Sequence, residues 1–518
     1  GGDPPPQMQL KLDGKVLKEW TVKAPLDQPD DHSFEVHIDP PGKHRVAACF
    51  TNDFWDDKIA DPARRDRNLM VHEIRIEGPL DGPPRAKPSS HRQIYRQRAE
   101  GQSDEQWAAE VLGRFARRAF RRPPREGEAE RYLHFVRLAK DQGQDVEHGI
   151  RLALEAMLVS PAFLYREEPQ PEPDDAERIH LVDEHTLASR LSYFLWSTMP
   201  DPELMKLAED GRLRDELDAQ IDRMLGSPKA GEFVRHFAGQ WLQLRDLAST
   251  RPSRRAFRHF DLRLVGDMRR ETEMFFGHLV RDDRPITELL DADYSFLNER
   301  LARHYGVSGV DGGEFRRVPL EGTPRRGLLT QGSFLLITSH PLRTSPVLRG
   351  KYVLENLLDT APPPPPPNVP QLEAPREGGE HLSLRQQMER HRDDPGCASC
   401  HALMDPIGFG LENYDADGSY RTTENNQPID ASGQLASGRE FAGADELREI
   451  LLRDHRREFL RSVSSKLLTY GLGRGTDWYD KPALDRIIRE TEEADLHTRA
   501  LIRSVIRSVP FQYRRGDG

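Results

Sequence analysis

This chain of 518 residues lacks an excess of positive charge: its 75 Lys and Arg residues are outnumbered by 86 Asp and Glu residues, and the formal net charge is −11. A surface that binds nucleic acid needs clustered positive charge to displace counterions, so this composition argues against a general polyanion-binding protein. The arginine-rich stretch Gly113–Arg125 is the exception, and its spacing on an amphipathic helix favours a solvated or inter-domain face. We therefore expect no nucleic-acid partner.

Long apolar runs are also missing from the chain. No segment approaches the about 18 consecutive apolar residues that cross a bilayer, so we expect no transmembrane segment. The N-terminus, GGDPPPQMQLKLDGK, lacks the basic and apolar regions of a signal peptide and begins abruptly. We expect a processed or truncated chain whose export signal lies upstream of residue 1.

Length and composition predict several soluble domains. Single hydrophobic cores stop growing at about 250–300 residues. Hydrophobic residues at 36% and charged residues at 31% suit a globular chain with a highly charged surface. Breaks in composition and hydrophobic periodicity predict domains at residues 1–80, 100–170, 178–310, 320–435 and 440–515.

The first of these regions has the pattern of strands, and the later ones have that of helices. Ser33–Ile38, His44–Phe50 and Met70–Gly78 alternate apolar and polar residues, which predicts a small β-sandwich. From about residue 100 onward the apolar residues recur with the helix period, as they do after the capping box Ser103–Gln106. The predicted fold class is therefore multidomain, with a small N-terminal β-sandwich followed by mainly α-helical domains.

Cysteine occurs only three times, yet two of these residues belong to the pentapeptide CASCH, from Cys397 to His401. This is C-x-x-C-H, the attachment sequence of c-type haem. Cysteines at i and i+3 share one face of a helical turn, where they can form thioethers with the porphyrin vinyl groups. The next histidine can then bind the iron. We predict covalent haem at Cys397 and Cys400, with His401 as the proximal iron ligand.

Other uses of the pentapeptide lack a necessary part. A structural zinc site wants four ligands, and the remaining Cys49 lies in the distant first region. A thioredoxin-like motif wants a βαβ context, whereas HRDDPG and MDPIG flank these cysteines. A disulfide between residues three apart would be strained. The zinc site, the redox motif and the disulfide stay open as alternatives that the sequence favours less than haem attachment.

The sixth iron ligand must come from elsewhere in the chain. Met404 follows His401 by three residues and would lie on the proximal side of a helix, so we expect it to pack there. We expect Asp405 and Pro406 to end that helix. An open sixth position would favour peroxide or oxygen chemistry over electron transfer. The distal candidates are Met388, His391, His340, His455 and Tyr470.

An acidic loop lies between the last two predicted strands. It holds Asn52, Asp53, Asp66 and Asn68 among further aspartates, and hard oxygen ligands of this kind suit Ca²⁺. Asp and Asn also favour turns, so a solvated loop explains the same residues. The EF-hand pattern is absent, so any calcium site would be of an irregular loop type.

A proline run, Pro362–Pro367, precedes the haem sequence. Consecutive prolines form stiff polyproline II, which we interpret as a strap around the haem domain predicted at 320–435. A ligand for a proline-recognising module is the alternative.

Several motifs in collinear order carry a family resemblance. HRDDPGCASCHALMDPIGFGLENYDADGSYR (His391–Arg421), RTSPVLRGKYVLENLL (Arg343–Leu358) and KLLTYGLGR (Lys466–Arg474) together resemble the multidomain cytochrome-c-like proteins of planctomycetes. Those proteins are assembled from a series of domains of unknown function, and the resemblance runs from about residue 100 to the end. In the first region, FTND (Phe50–Asp53) and RDRNLMVHEIRIEGP (Arg65–Pro79) resemble calcium-dependent xylan-binding modules.

The resemblance implies haem c in a cytochrome-c-like domain, and Ca²⁺ with a polysaccharide at the N-terminal module. We expect an exported c-type cytochrome that exchanges electrons with redox partner proteins in the periplasm or at the cell surface, because haem c is attached outside the cytoplasm. Asp405, Asp415, Asp417 and Arg421 are candidates for stabilising the haem domain or contacting propionates.

Two other functions stay open at this point. One is a haem peroxidase or oxidase with an open sixth position and His391 or His340 as a nearby acid or base. The other is a surface glycan-binding protein in which the haem is secondary. The sequence therefore leaves undecided whether the protein is an enzyme.

Overall fold

The computed structural model describes residues 4–25, 27–40, 42–61, 64–78, 80, 87–363, 383–391 and 395–516. The chain divides into two compact units, Gly1–Tyr95 and Arg96–Gly518. Of the predicted proline strap, residues 364–367 lie outside the described part of the chain.

The N-terminal unit is built on a three-stranded antiparallel sheet. β1 (Gln7–Leu12) lies in the centre, between β2 (Lys15–Thr21) and β3 (Val46–Phe50), with Met8 opposite both Trp20 and Phe50. Asp13 and Gly14 join β1 to β2 with φ angles of 50° and 85°, the positive values that a two-residue hairpin turn requires. A short ladder of β4 (Phe54–Trp55) and β5 (Asp66–Arg67) and the helix α1 (Ser89–Ile94) complete the unit.

One of the three predicted strands is confirmed, and two are wrong. His44–Phe50 contains β3, but Ser33–Ile38 and Met70–Gly78 form no strand. Their alternation predicts a half-buried face, yet Phe34 and Ile76 are exposed, since no strand among the described residues pairs beside them. The hairpin β1–β2 supplies the sheet instead, since its short turn closes at low entropic cost.

The second unit is mainly helical and begins with a small helical group. Ser103 caps the first helix by accepting the Gln106 N–H at 3.2 Å, while the Gln106 side chain accepts the Ser103 N–H at 3.0 Å. The predicted capping box is therefore confirmed. The helices of this group are α2 (Asp104–Ala119), α3 (Leu133–Asp141), α4 (Val146–Leu158) and α5 (Pro161–Leu164).

A larger group of helices follows. Its elements are α6 (Glu184–Trp196), α7 (Pro202–Glu209), α8 (Leu217–Leu225), α9 (Ala230–Phe233), α10 (Gly239–Trp241), α11 (Arg263–Arg281), α12 (Glu288–Asp291), α13 (Glu299–Tyr305), α14 (Gly332–Ile337), α15 (Pro346–Tyr352), α16 (Leu384–His391), α17 (Pro395–Phe409), α18 (Gly443–Asp454), α19 (Arg456–Leu472), α20 (Lys481–Glu493), α21 (Thr498–Arg507) and α22 (Val509–Gln512). Two π-helical turns lie among them, Val234–Ala238 after α9 and Val353–Leu357 after α15.

Short antiparallel strand pairs connect these helices. The pairs are β6 (Ile179–Leu181) with β15 (Tyr513–Arg515), β7 (Tyr294–Leu297) with β8 (Arg316–Pro319), β9 (Ser339–His340) with β10 (Arg343–Thr344), β11 (Thr423–Glu424) with β12 (Gln427–Pro428), and β13 (Ser432–Gln434) with β14 (Glu440–Ala442).

One apolar core runs through the larger group, from Val182 near its start to Phe511 near its end. The pairing of β6 with β15 brings these two ends together, with Leu181 opposite Tyr513. The Arg190 side chain reinforces this closure by donating to the Phe511 carbonyl oxygen at 2.6 Å. The segments 182–358 and 407–511 therefore share a single core.

None of the helices in the described part of the chain is long and apolar enough to span a membrane.

Candidate functional site

The C-x-x-C-H sequence lies on α17, whose two halves differ in burial. The first half is partly exposed: Cys400 is a free, half-buried thiol, and Leu403 is exposed. Residues 404–410 are all buried. Cys397 lies on the same helix three residues before Cys400, although its side chain lies outside the described part of the structure. The helical spacing that haem attachment needs is present in the backbone.

The predicted end of this helix is wrong, whereas the predicted packing of Met404 is confirmed. α17 continues through Pro406 to Phe409, and Met404 is buried. Proline inside a helix leaves the carbonyl four residues earlier without its usual donor. That carbonyl belongs to Ala402, an exposed residue, so solvent can satisfy it and the helix can continue.

The imidazole of His401 is paired with a buried carboxylate one turn farther along α17. His401 Nδ1 lies 3.0 Å and 3.1 Å from the two carboxylate oxygens of Asp405. The His401 side chain is 14% exposed and that of Asp405 is 0% exposed. An ionised carboxylate can only accept, so Nδ1 carries the proton in this pair and Nε2 is the ring atom suited to a metal ion.

Two glycines bring the buried half of α17 against α15. A Cβ at Gly350 would overlap the main-chain oxygen of Met404, and one at Gly408 would overlap the main-chain oxygen of Pro346. The two backbones therefore touch on both sides of Asp405, at residues 404 and 408. Any larger residue would push the helices apart.

A buried arginine ties α15 to the segment that follows α17. Arg349 is 0% exposed, and its Nη1 donates to the Leu411 carbonyl oxygen at 2.6 Å and lies 3.4 Å from Glu412 Oε1. Glu412 Oε2 accepts from Arg421 Nη2 at 3.0 Å and from the Thr344 hydroxyl at 2.8 Å. Burial raises the pKa of the Glu412 carboxyl against the opposing effect of the two guanidinium groups. The network therefore anchors the segment after α17 to α15 and to Thr344.

The predicted residues Asp415, Asp417 and Arg421 lie in a tight loop after α17. Asp417 Oδ1 accepts from the Ser419 N–H and hydroxyl at 2.9 Å and 2.6 Å, and Asp415 Oδ1 lies 3.6 Å from Arg421 Nη1. His304 Nε2 donates to the Asp417 carbonyl oxygen at 2.8 Å. These contacts favour the fold-stabilising role, and a contact with haem propionates stays a prediction.

A second buried polar cluster lies beneath this loop. Glu271 on α11 accepts hydrogen bonds from the Ser295 and Tyr305 hydroxyls, each at 2.6 Å. The Arg325 guanidinium stacks 3.7 Å above the Tyr305 ring and donates to the Gly418 carbonyl oxygen at 2.6 Å. Burial raises the pKa of Glu271 to about 7, although the two hydroxyl donors and Arg325 oppose it.

Two distal-ligand candidates lie on α16, the helix that precedes the haem sequence. Met388 is buried in a small apolar cluster with Leu384 and Phe409, and Val347 packs against that cluster. The structure therefore brings Met388 to the end of α17. His391 is the last residue of α16, and its side chain lies outside the described part.

The other distal candidates have separate surroundings. The Tyr470 hydroxyl lies 3.2 Å from the Ser197 hydroxyl, within the large apolar core. His455 precedes α19 and lies 4.0 Å from Glu458, and His340 is exposed on β9. Which residue, if any, binds the iron on the distal side stays a prediction.

The calcium candidates lie around the β4–β5 ladder of the N-terminal unit. The Asn52 side chain makes two hydrogen bonds to the backbone before and at the start of β1: its Oδ1 accepts the Gln7 N–H at 2.7 Å, and its Nδ2 donates to the Pro5 carbonyl oxygen at 2.9 Å. Asn68 Nδ2 donates to Asp66 Oδ2 at 2.6 Å, and Asp53 is exposed. Where side chains are described, no group of three His, Cys, Asp or Glu could hold a metal ion. Calcium binding stays a prediction.

Sequence reasoning missed the buried ionisable residues Glu271, Arg325, Arg349 and Glu412. Arginine and glutamate are mostly exposed in proteins, so a prediction from sequence places them at the solvated surface. The signal that the sequence offered is Gly350, next to Arg349, because a glycine inside a helix often marks a close approach of two backbones.

Five families match the chain in series. Residues 1–91 match a Ca-dependent carbohydrate-binding module that binds xylan, CBM60. The families of unknown function that follow are DUF1595 at residues 107–168, DUF1592 at 182–307, DUF1588 at 325–424 and DUF1585 at 437–511. No curated protein and no solved structure matches the chain. The predicted series of domains after a xylan-binding module is thereby confirmed, and the attachment of haem at Cys397 and Cys400 stays a prediction.

Proposed function

We propose that this chain is an exported c-type cytochrome that carries one haem on α17 and transfers single electrons. Its N-terminal module binds Ca²⁺ and a polysaccharide and so places the haem near a glycan surface. The observation that carries the haem assignment is a C-x-x-C-H sequence within one helix, whose histidine pairs through Nδ1 with a buried carboxylate.

The residues of α17 fit a covalent haem. Cys397 and Cys400 would hold the porphyrin through thioethers, and the Cys400 thiol is free and partly exposed. His401 would hold the iron through Nε2, because Nδ1 faces Asp405. When bound, a haem c supplies one-electron exchange between ferric and ferrous iron.

The surroundings of α17 support electron transfer. The backbone of α17 contacts that of α15 at Gly350 and Gly408, and Arg349 anchors the segment that follows α17. These contacts hold α17 rigidly, so a ligand on it keeps its geometry when the iron changes charge. Met388 is the distal candidate that the fold brings to this helix, and it is our choice for the sixth position.

The haem assignment is tested on the full chain, exported from a host that attaches haem c. We expect c-type absorption bands and haem that stays on the chain after denaturation. The double variant Cys397→Ala/Cys400→Ala should lose covalent haem, whereas Cys49→Ala, in the N-terminal unit, should keep it. Absence of haem from the unaltered protein would refute the proposal.

Carbon monoxide separates electron transfer from an enzyme with an open sixth position. With two strong ligands, the spectrum of the reduced protein stays unchanged when carbon monoxide is added. Met388→Ala should then make the spectrum respond, and His455→Ala, on α19's N-terminal side, should leave it unchanged. A response of the unaltered protein would refute the second strong ligand and favour a peroxidase or oxidase.

The module is tested by sedimentation with insoluble xylan, with Ca²⁺ and with a chelator. We expect binding that needs Ca²⁺ and that falls in Asp53→Asn and Asp66→Asn, because each removes a negative charge and one of two carboxylate oxygens. Asp30→Asn, an exposed aspartate outside the loop, is the matched control. Equal binding with and without Ca²⁺ would contradict the calcium assignment.

A further inference from the structure

We propose that Asp405 is the positioning residue of the haem iron ligand: its carboxylate orients the His401 ring, strengthens the iron–Nε2 bond and lowers the reduction potential of the haem. This inference rests on the proposed haem at Cys397 and Cys400. It assigns to Asp405 a role different from contacting a propionate or ending the helix.

The pairing follows from helix geometry. Residues four apart face the same side of a helix, so a carboxylate at 405 reaches back to a histidine at 401. Both Asp405 oxygens lie within 3.1 Å of Nδ1, so either oxygen can accept its N–H. The ring is therefore held with Nε2 turned away from the carboxylate, toward the side where the iron would bind.

The backbone around Asp405 is held on both sides. Met404 and Gly408 each contact α15 through the close approaches that Gly350 and Gly408 allow. Asp405 itself is fully buried, so water does not compete for its oxygens. A charged acceptor in such a site bonds an N–H more strongly than it would in water.

A carboxylate differs from a neutral acceptor in its effect on the metal. An anionic partner on Nδ1 raises the basicity of the imidazole, and a more basic ligand stabilises the more positive iron. The step affected is the one-electron reduction of ferric to ferrous iron by a redox partner protein, with no proton transferred in that step. The ferric form gains relative to the ferrous form, so the reduction potential falls.

The test compares Asp405→Asn and Asp405→Glu in the full haem-bearing protein with Glu389→Gln. Glu389 is an exposed carboxylate on α16, so its variant removes a charge without touching His401. We expect Asp405→Asn to favour reduced haem at least tenfold at a given potential, a positive shift of about 59 mV for one electron. The shift in Glu389→Gln should be much smaller, and Asp405→Glu should stay closer to the unaltered protein.

A second readout separates positioning from a structural or purely electrostatic role. If the reduced iron is five-coordinate, the iron–histidine stretching band should move to lower frequency in Asp405→Asn. If the iron is six-coordinate, the g values of the low-spin ferric form should change instead. Glu389→Gln should change neither. An unaltered band or unaltered g values in Asp405→Asn would overturn the proposal.

The unaltered protein gives an independent answer if Asp405→Asn does not fold. Its iron–histidine band, or its ferric g values, should match those of histidines paired with carboxylates, and a match to histidines paired with carbonyl oxygens would overturn the proposal. Failure of the proposed function looks different, because then no c-type haem bands appear at all.

Discussion

Glu271 offers the sharpest test of how burial controls charge in this protein. Its carboxyl has an ordinary pKa of 4.5, which burial raises to about 7 in the folded chain. The carboxyl is therefore protonated in the fold, but ionised in the unfolded chain, between those two pH values. We predict that Glu271→Gln, which is neutral at every pH, removes a large part of the pH dependence of folding stability.

The magnitude follows from proton linkage. Where the folded state holds one proton more than the unfolded state, the free energy of unfolding falls by about 1.36 kcal/mol for each pH unit. Between the ordinary value of 4.5 and the folded value of about 7, this sums to about 3 kcal/mol. The contribution is fully present below the lower pKa and is lost as the pH rises through the upper one.

The assay is urea unfolding followed by far-ultraviolet circular dichroism, at about pH 5 and about pH 8. Glu271→Gln should lose about 3 kcal/mol less stability than the unaltered protein over this interval. Near the lower pH the two should agree within about 1 kcal/mol, since a neutral amide replaces a neutral acid. Glu273→Gln, on the same helix and paired with Arg269 at 2.8 Å, controls for the substitution itself.

This reasoning would be refuted if the free energy of unfolding of Glu271→Gln and that of the unaltered protein changed in parallel with pH. If Glu271→Gln and the unaltered protein lose the same stability between the two pH values, the carboxyl ionises in the fold as it does in water. The hydroxyl donors Ser295 and Tyr305, together with Arg325, would then outweigh burial.

Two further predictions concern the contacts that hold α17 and the segment after it against α15. Gly350→Ala should lower stability by about 2 kcal/mol or more, because its Cβ overlaps the Met404 carbonyl oxygen. Gly113→Ala, in open space on α2, should leave stability unchanged or raise it, and equal melting temperatures for the two variants would contradict the close approach. Arg349→Met should cost about 3 kcal/mol in urea unfolding, because it leaves Glu412 buried with one partner fewer. Lys351→Met, which removes a partly exposed cation paired with Glu355 on the surface of the same helix, is the control, and equal losses would contradict the network.

Local sequence predicted the features that depend on nearby residues. The capping box at Ser103 and Gln106 was predictable because both partners lie within one helical turn. β3 was predictable from its alternation, but Ser33–Ile38 has the same alternation and forms no strand. A strand also needs a partner to pair with, and β2 pairs with β1 through the short Asp13–Gly14 turn, which closes at low entropic cost.

The sequence by itself determined the order of the domains and the C-x-x-C-H spacing, because both are written in contiguous residues. Only the tertiary structure decided that Asp405 is buried beside His401, that α17 continues past Pro406, and that burial raises the pKa of Glu271 to about 7. The burial of Asp405 and of Glu271 depends on contact from segments far apart in the chain, whereas α17 continues because solvent can satisfy the carbonyl oxygen of the exposed Ala402. Burial by distant residues changes the energy of a charged group, and the residues next to that group in the sequence do not reveal the burial.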